Sequence, residues 1–279
     1  MHKFMSVFFS IFVLMLEACQ PSVRLSATPT AVDTPKMALE TDDRAITMRP
    51  YPSASPQVLD TPAVLHIFPL YKNSSWSYMQ IDYVANDPNT IIKATTQREE
   101  RVVDAHFQQP YYFAHVKRSV RLVSADPGWI DTGGLGLGNY DLWYVVTNGK
   151  VYLSSDAPDP ANIHLDQLSE EYDFPLRVGL SWCPNKRVRA SLTPVAETPV
   201  PCASAGMREV LEMKPYQTQA GSFDQCYRIA DVYNSGGIIQ WVCTGIGIVA
   251  QQYDHRGSQF GFSEELVTFT LGSFPSTHN

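Results

Sequence analysis

A nine-residue pattern, F-P-L-x-x-x-x-S-W, occurs twice in this chain and constrains its architecture more than any other feature. The copies span residues 68–76 and 174–182, and each leads into an apolar or aromatic run. Proline fixes φ and lacks an N–H, so each copy suits a chain that reaches the edge of a sheet. A chance match of a short pattern is the alternative. We interpret the repeat as the start of two similar halves within one β-rich body.

Composition also favours strands over helices. The 279 residues include 20 prolines, 14 tyrosines and 13 phenylalanines, a composition typical of strands and turns. The net charge is −7 and no long Lys/Arg cluster occurs, which disfavours binding to nucleic acid or to anionic lipid. We therefore expect a mainly β fold: an antiparallel curved sheet, a half-barrel or a sandwich, with at most one short helix.

The first residues have the pattern of an exported lipoprotein. Lys3 precedes a thirteen-residue apolar stretch, residues 4–16, which is short for a membrane span but right for a secretory signal. Leu16-Glu17-Ala18-Cys19 then resembles the lipobox of bacterial lipoproteins. The resemblance implies cleavage before Cys19 and acylation, palmitate included, of its thiol. A cleaved signal with an incidental cysteine is the alternative.

Composition divides the chain into four segments. After the signal peptide, Ser, Thr and Pro dominate with almost no aromatic residue, which predicts a disordered tether. The aromatic and alternating runs begin after it and extend almost to the last residues. The predicted segments are the signal peptide 1–18, the tether 19–61, the β-rich domain 62–272 with halves of about 62–155 and 173–272, and a tail 273–279.

Local patterns predict several elements inside the domain. Residues 90–96 and 101–107 have the pattern of two successive strands. Asn148-Gly149 is the strongest signal for a two-residue hairpin turn and pairs Val146 with Val151. A short helix is predicted within 159–172, where Asp159 would be the N-cap and Pro160 the first helical residue.

The cysteines indicate disulfides rather than a metal site. If Cys19 is lipidated, Cys183, Cys202, Cys226 and Cys243 remain, which allows three pairings. We favour Cys183–Cys202 and Cys226–Cys243 because each closes a local unit in an oxidising compartment. A four-thiolate metal site is the alternative, but no C-x-x-C pair occurs. A hairpin with Tyr233 opposite Ile238 would place Cys243 opposite Arg228, two residues from Cys226. A Cys226–Cys243 bridge would then need a bulge near Gly245 and Gly247.

No motif in the sequence indicates a catalytic residue, a metal or a cofactor. H-E-x-x-H, G-x-S-x-G and S-x-x-K are all absent. The glycine-rich loop 126–138 leads into a strand, so it is not a phosphate loop; calcium at Asp126, Asp131 and Asp141 is a minor alternative. The pairs Asp104/His106 and Asp254-His255 could help to bind a metal, but solvated polar positions explain them better.

Two further sets of residues were considered as site candidates. Glu99-Glu100 and Glu170-Glu171 are interpreted as surface charge, because neighbours on a strand point to opposite faces. Tryptophans could line a lipid or carbohydrate surface, with core packing as the alternative. The candidates for such a ligand surface are Trp76, Trp143, Trp182 and Trp241.

Four motifs together resemble a recurrent pattern of bacterial exported lipoproteins with a β-rich domain, a largely uncharacterised family. They are F-P-L-x-x-G/N-x-S-W, A-G-S-F-x-x-C-Y-R, W-x-C-x-G-I-G-I-V and E-E-L-V. A weaker similarity is to the half-barrel sheets of bacterial lipoprotein carriers, which hold acyl chains.

With no catalytic motif in the sequence and a lipobox at Cys19, we expect a non-enzymatic protein, lipid-anchored on the extracytoplasmic side of a bacterial membrane. It would bind a ligand or support envelope structure. Its expected partners are the membrane, through the lipid on Cys19, and a hydrophobic ligand in a groove or an envelope protein; nucleic acid is not expected. The alternatives are a hydrolase of envelope polymers with a site assembled from separated strands, and a surface adhesion or assembly module.

Overall fold

The structure, a computed structural model, describes residues 60–87, 90–129, 135–184, 207–233, 236–255 and 260–274. It begins with a short helix, α1, Thr61–Ile67. The Asp60 side chain caps this helix by accepting a hydrogen bond from the Ala63 N–H at 3.0 Å. The helix predicted within 159–172 is wrong, because that segment forms only a 3-10 turn, Leu165–Gln167, followed by a strand.

Twelve antiparallel strands follow α1. They are β1 Ser75–Asp87, β2 Thr90–Gln108, β3 Tyr111–Ala125, β4 Gly138–Thr147, β5 Lys150–Ser154, β6 Ser169–Asp173, β7 Ser181–Trp182, β8 Met207–Thr218, β9 Gly221–Tyr233, β10 Gly236–Cys243, β11 Gly247–His255 and β12 Phe260–Thr270. Their order in the sheet is β6-β5-β4-β3-β2-β1-β12-β11-β10-β9-β8-β7. The mainly β, antiparallel prediction is confirmed, although the two strands predicted over 90–107 are one continuous strand, β2.

The single sheet curls into a barrel that is nearly closed. It consists of two six-stranded meanders, β1–β6 and β7–β12, joined by the pairing of β1 with β12. The free edges, β6 and β7, meet where the Glu170 N–H donates to the Pro184 carbonyl at 3.0 Å. Arg208 on β8 adds a link, because its Nη1 donates to the Glu171 carbonyl at 2.6 Å.

The two copies of the nine-residue pattern occupy equivalent places at the start of each meander. Their sixth residues, Asn73 and Gly179, both have left-handed backbones, with φ of 71° and 84°. Gly and Asn are the residues that adopt this conformation most readily. The Asn73 N–H donates to the Val102 carbonyl at 2.9 Å, and the Gly179 N–H donates to the Val210 carbonyl at 2.8 Å. The prediction of two halves that begin alike is confirmed.

The core fills the space inside the barrel. Both Phe-Pro-Leu segments contribute to it, since Phe68, Leu70, Phe174 and Leu176 are all buried.

The predicted Asn148-Gly149 turn is confirmed together with its pairing of Val146 and Val151.

The predicted register of the other hairpin is wrong, because Tyr233 pairs with Gly236 rather than with Ile238. The shorter turn sets Cys226 directly opposite Cys243, so their disulfide is confirmed, and no bulge interrupts the pairing of β9 with β10. Cys183 also takes part in a disulfide. Cys202 lies outside the described residues, so the Cys183–Cys202 pairing stays a prediction.

Candidate functional site

A cavity of about 780 Å³ lies on the outside of the barrel, where β12, β1, β2, β3 and β4 run side by side. We call it the outer groove. Two parallel rows of outward-pointing side chains line it. The first row is Thr270, Ser75, Arg101, Lys117 and Asp141, and the second is Thr268, Ser77, Glu99, Ser119 and Asn139.

The sequence produces this groove through strand alternation and local bends. Successive residues of a strand face opposite sides, so the row between the two lining rows points into the barrel. Register shifts occur at Ser77/Tyr78 between β1 and β12 and at Val102/Asp104 between β2 and β3. Such irregularities bend a strand and increase its twist, so the outer face curves next to the groove.

Inward-pointing side chains fix the floor of the groove. The Trp76 indole N–H donates to the Ile246 carbonyl across the barrel at 2.9 Å. Glu100 accepts hydrogen bonds from Arg98 at 2.8 Å and from Arg118 at 2.6 Å. These bonds join β1 to the turn after β10 and β2 to β3, so they stabilise the backbone beneath the groove.

Arg98 connects this floor to the opposite side of the β1–β12 pair. Its guanidinium donates two hydrogen bonds to the Glu264 carboxylate, at 2.7 and 2.6 Å, and lies 4.1 Å from the centre of the Tyr78 ring. Such two-point contacts are stronger than single neutral hydrogen bonds. Interpreting Glu100 as surface charge was wrong. Its partner Arg98 lies two residues earlier, on the same face of the same strand. This spacing of opposite charges is the sequence signal that could have revealed the Arg98–Glu100 pair.

The environment keeps these groups charged. Burial acts to raise the pKa of the Glu100 carboxyl, but Arg98 and Arg118 outweigh it and lower that pKa below its usual range. Burial acts to lower the pKa of Arg98, but Glu100 and Glu264 raise it further above neutrality. Burial also raises the pKa of Tyr78 well above its usual range, so its hydroxyl stays protonated. The floor is therefore a stable ion-pair network at neutral pH.

Two acidic side chains of the lining rows have neighbouring partners. The Glu99 carboxylate accepts a hydrogen bond from the Gln97 amide at 2.9 Å. The Asp141 carboxylate lies 2.7 Å from Nε2 of His115, whose ring stacks on Trp143 with 4.1 Å between ring centres. Both acidic residues are exposed and line the cavity together with the hydroxyl and cationic groups.

The structure does not bring the four candidate tryptophans together on one surface. Trp76, Trp182 and Trp241 are buried, and Trp241 stacks on Tyr216 with 4.5 Å between ring centres. Trp143 is half-buried on the outer face of β4, two residues from Asp141 at the border of the groove. A contact between these residues and a ligand stays a prediction, and Trp143 is the best placed of them.

The other polar candidates have local partners. Asp104 lies 3.3 Å from His106 and also contacts Lys72, and Glu170 and Glu171 form ion pairs with Lys150 and Arg208. Treating this Glu170-Glu171 pair as surface charge was therefore wrong. Asp126 accepts a hydrogen bond from the Lys93 N–H, while Asp131 lies outside the described residues. Within the described ranges, no group of three or more His, Cys, Asp or Glu side chains could hold a metal ion.

Inside the barrel, little room is left beside the floor of the groove. A space of about 20 Å³ lies between Phe68, Trp76, Tyr144 and Ile248. Roughly 10–15 Å³ of such space holds one water molecule, so the space has room for about one water. No membrane-spanning helix occurs within the described residues, whose α-helix has 7 residues.

The chain resembles several solved structures from bacteria. It is 14% identical to a candidate lipoprotein from Parabacteroides distasonis, with a TM-score of 0.40 and coverage of 74% of this chain and 98% of that one. It is 13% identical to a candidate exported protein with a YmcC-like fold from Bacteroides fragilis, with a TM-score of 0.39 and coverage of 72% and 98%. A DUF1329 family protein from Desulfovibrio piger is 7% identical, with a TM-score of 0.24 and coverage of 75% and 90%.

No family model and no curated protein matches the chain.

Proposed function

We propose that this protein is a non-enzymatic binding protein of the bacterial cell envelope, lipid-anchored on the extracytoplasmic side, that holds a polar envelope polymer in its outer groove. The observation that carries the proposal is the preformed cavity of about 780 Å³ on a floor of buried ion pairs. Ligand sites in proteins typically measure about 300–1,000 Å³ and are largely formed before the ligand binds.

The proposed location is supported by the buried disulfide between Cys226 and Cys243, because disulfides persist in oxidising compartments outside the cytoplasm. The proposed anchor is the lipid on Cys19, with residues 1–18 removed as the signal peptide; these residues lie outside the described part of the chain. A single acyl chain anchors a protein only marginally, which is why diacylation at Cys19 is part of the proposal.

The polar nature of the ligand follows from where the space lies. A hydrophobic ligand would need an apolar cavity, and the described space beside Phe68 and Trp76 is too small for an acyl chain. Both lining rows of the outer groove consist of hydroxyl, amide and charged side chains. We therefore propose a polar ligand in place of the hydrophobic one that the sequence suggested.

The proposal is tested by filling the groove. Ser119 lies in the second lining row on β3, and a Ser119→Trp substitution places an indole across the cavity. The full chain, purified in detergent, is incubated with envelope polymer isolated from the producing bacterium, and the bound fraction is measured by co-sedimentation. We expect wild type to sediment with the polymer and Ser119→Trp to lose at least ten-fold in affinity.

Ser124→Trp is the matched control. Ser124 is exposed on the same strand but does not line the groove, so the same substitution leaves the cavity open. Equal binding by wild type and Ser119→Trp, or equal loss in both variants, would contradict binding in the groove.

A further inference from the structure

Two cations lie side by side in the middle of the outer groove. Arg101 on β2 and Lys117 on β3 are directly opposite each other in the antiparallel pair, and both side chains are exposed. Like charges directly opposite each other destabilise a sheet, although Lys117 also lies opposite Asp141 on β4. Among the described residues neither cation forms an ion pair, whereas exposed Lys72 and Lys214 pair with Asp104 and Glu212.

The acidic side chains of the groove form no ion pair with these cations. The Glu99 carboxylate, on the same strand as Arg101, is hydrogen-bonded to Gln97, and the Asp141 carboxylate, directly opposite Lys117, contacts His115. The two rows contain two cations and two carboxylates, and within the described ranges Arg101 and Lys117 are the two charged groups of the rows that have no charged or hydrogen-bonded side-chain partner. An anion bound between these two cations would neutralise them.

Hydroxyl groups surround the two cations. Ser75 and Thr270 continue the row that contains Arg101 and Lys117, and Ser77, Ser119 and Thr268 lie in the adjacent row. A hydroxyl both donates and accepts hydrogen bonds, so this array suits a ligand that is itself rich in hydroxyls. The aromatic residues at the groove, Trp76, Tyr140 and Phe269, belong to the inward-pointing row between the two polar rows.

We propose that the ligand of the outer groove is an acidic oligosaccharide whose carboxylate is bound by Arg101 and Lys117. Its sugar hydroxyls exchange hydrogen bonds with the serine and threonine side chains of the two rows. Charge-assisted hydrogen bonds to a carboxylate are stronger than bonds between neutral groups, so the two cations provide most of the selectivity. This inference rests on the proposed function and specifies the chemistry of its ligand.

Calorimetric titration of the full chain with two matched probes tests the inference. The first is tetragalacturonate, with one carboxylate on each sugar, and the second is the same tetrasaccharide with every carboxyl reduced to the alcohol. We expect wild type to bind the first at least ten-fold more tightly. Arg101→Gln and Lys117→Gln should each weaken its binding by about ten-fold, the usual effect of losing a hydrogen bond to a charged group.

Arg177→Gln is the control, because Arg177 is an exposed cation in the turn before β7 and does not line the groove. It should bind both probes like wild type, and near-ultraviolet circular dichroism should show that all three variants are folded. Equal affinity for the two probes would overturn the role of charge. Failure of both probes, while envelope polymer still binds and Ser119→Trp still blocks it, would overturn the ligand class but leave the proposed function intact.

Discussion

Arg98 is the residue on which the interior of the barrel depends most. Its buried guanidinium contacts the carboxylates of Glu100 and Glu264 and the face of the Tyr78 ring. The Glu264 side chain is 0% exposed, so Arg98 is the group that compensates its charge. Removing one partner of a buried ion pair leaves an uncompensated charge in a low-dielectric environment, which costs far more than the pair itself contributes.

We therefore expect Arg98→Met to lower the free energy of unfolding by about 3–5 kcal/mol. Urea denaturation at pH 7 measures the change. Lys72→Met is the control, because the Lys72–Asp104 pair is more than half exposed and such surface pairs contribute about 0–1 kcal/mol. Similar losses in the two variants would show that burial of the Arg98 network does not matter.

The pH dependence of the free energy of unfolding, compared between wild type and Arg98→Met, provides a second readout. The pKa of Glu100 is lowered in the folded state, so its contribution to stability is present above its unfolded pKa, near about 4.3, and is lost as the pH falls through the folded value. Arg98→Met removes one of the two cations that lower the pKa of Glu100, so the variant lacks part of this contribution. The difference in stability between wild type and variant should therefore shrink below about pH 4.

At the scale of single elements, the sequence predicted those strands and turns whose determinants are local. Asn148-Gly149 specifies its turn because both residues adopt positive φ, at 49° and 77°. The misplaced helix shows the limit of such signals. Asp159-Pro160 and Asp60 followed by Pro62 are similar helix-start patterns, but only the second precedes residues, Val64 and Leu65, that the barrel core buries.

Register and buried charge depended on contacts that are distant in sequence. Tyr233 pairs with Gly236 in the register that sets Cys226 opposite Cys243, and β10 also pairs with β11 on its other edge, a constraint that the hairpin sequence alone does not contain. Arg98 and Glu264 are separated by 166 residues and meet only across the β1–β12 pair. The outer groove was missed for the same reason, because its five strands come from both ends of the domain.

The bond between Cys226 and Cys243 holds together the β9–β10 hairpin. The bridge closes a loop with a sequence separation of 17, for which the chain-entropy model gives roughly 3 kcal/mol. The double variant Cys226→Ala/Cys243→Ala should therefore unfold with about 3 kcal/mol less free energy, measured by urea denaturation without reductant. Adding reductant to the double variant reports separately on the disulfide of Cys183. A loss below about 1 kcal/mol would show that pairing of the strands already fixes this hairpin.

At the scale of the whole molecule, the two meanders use the same positions with opposite charges. Glu100 pairs with Arg118 on β2 and β3, two residues before Val102. Arg208 pairs with Asp231 on β8 and β9, two residues before Val210. Arg118 reaches inward to Glu100 in the floor of the outer groove. Arg208 instead reaches across the gap between β6 and β7 to Glu171 on β6. Equivalent positions thus stabilise the sheet in one half and close the barrel in the other.

This arrangement predicts that the barrel opens first between β6 and β7. The opposite junction, between β1 and β12, is paired over ten positions, from Ser75–Thr270 to Val84–Phe260. At the β6–β7 junction, the described backbone contact is the Glu170–Pro184 hydrogen bond, and the Arg208 side chain spans the gap. Local opening is easiest where few backbone hydrogen bonds and contacts must break.

Arg208→Met should therefore increase amide hydrogen exchange in β6, Ser169–Asp173, by at least ten-fold, because it removes both bonds to Glu171. Exchange in β1 and β12 should change less than two-fold, since their pairing does not involve Arg208. Arg228→Met is the control on the neighbouring strand, where the side chain pairs with Glu212 at 3.5 Å and is more than a third exposed. Uniformly faster exchange in both meanders would mean that Arg208 stabilises the whole barrel, whereas unchanged exchange in β6 would mean that backbone contacts alone close it.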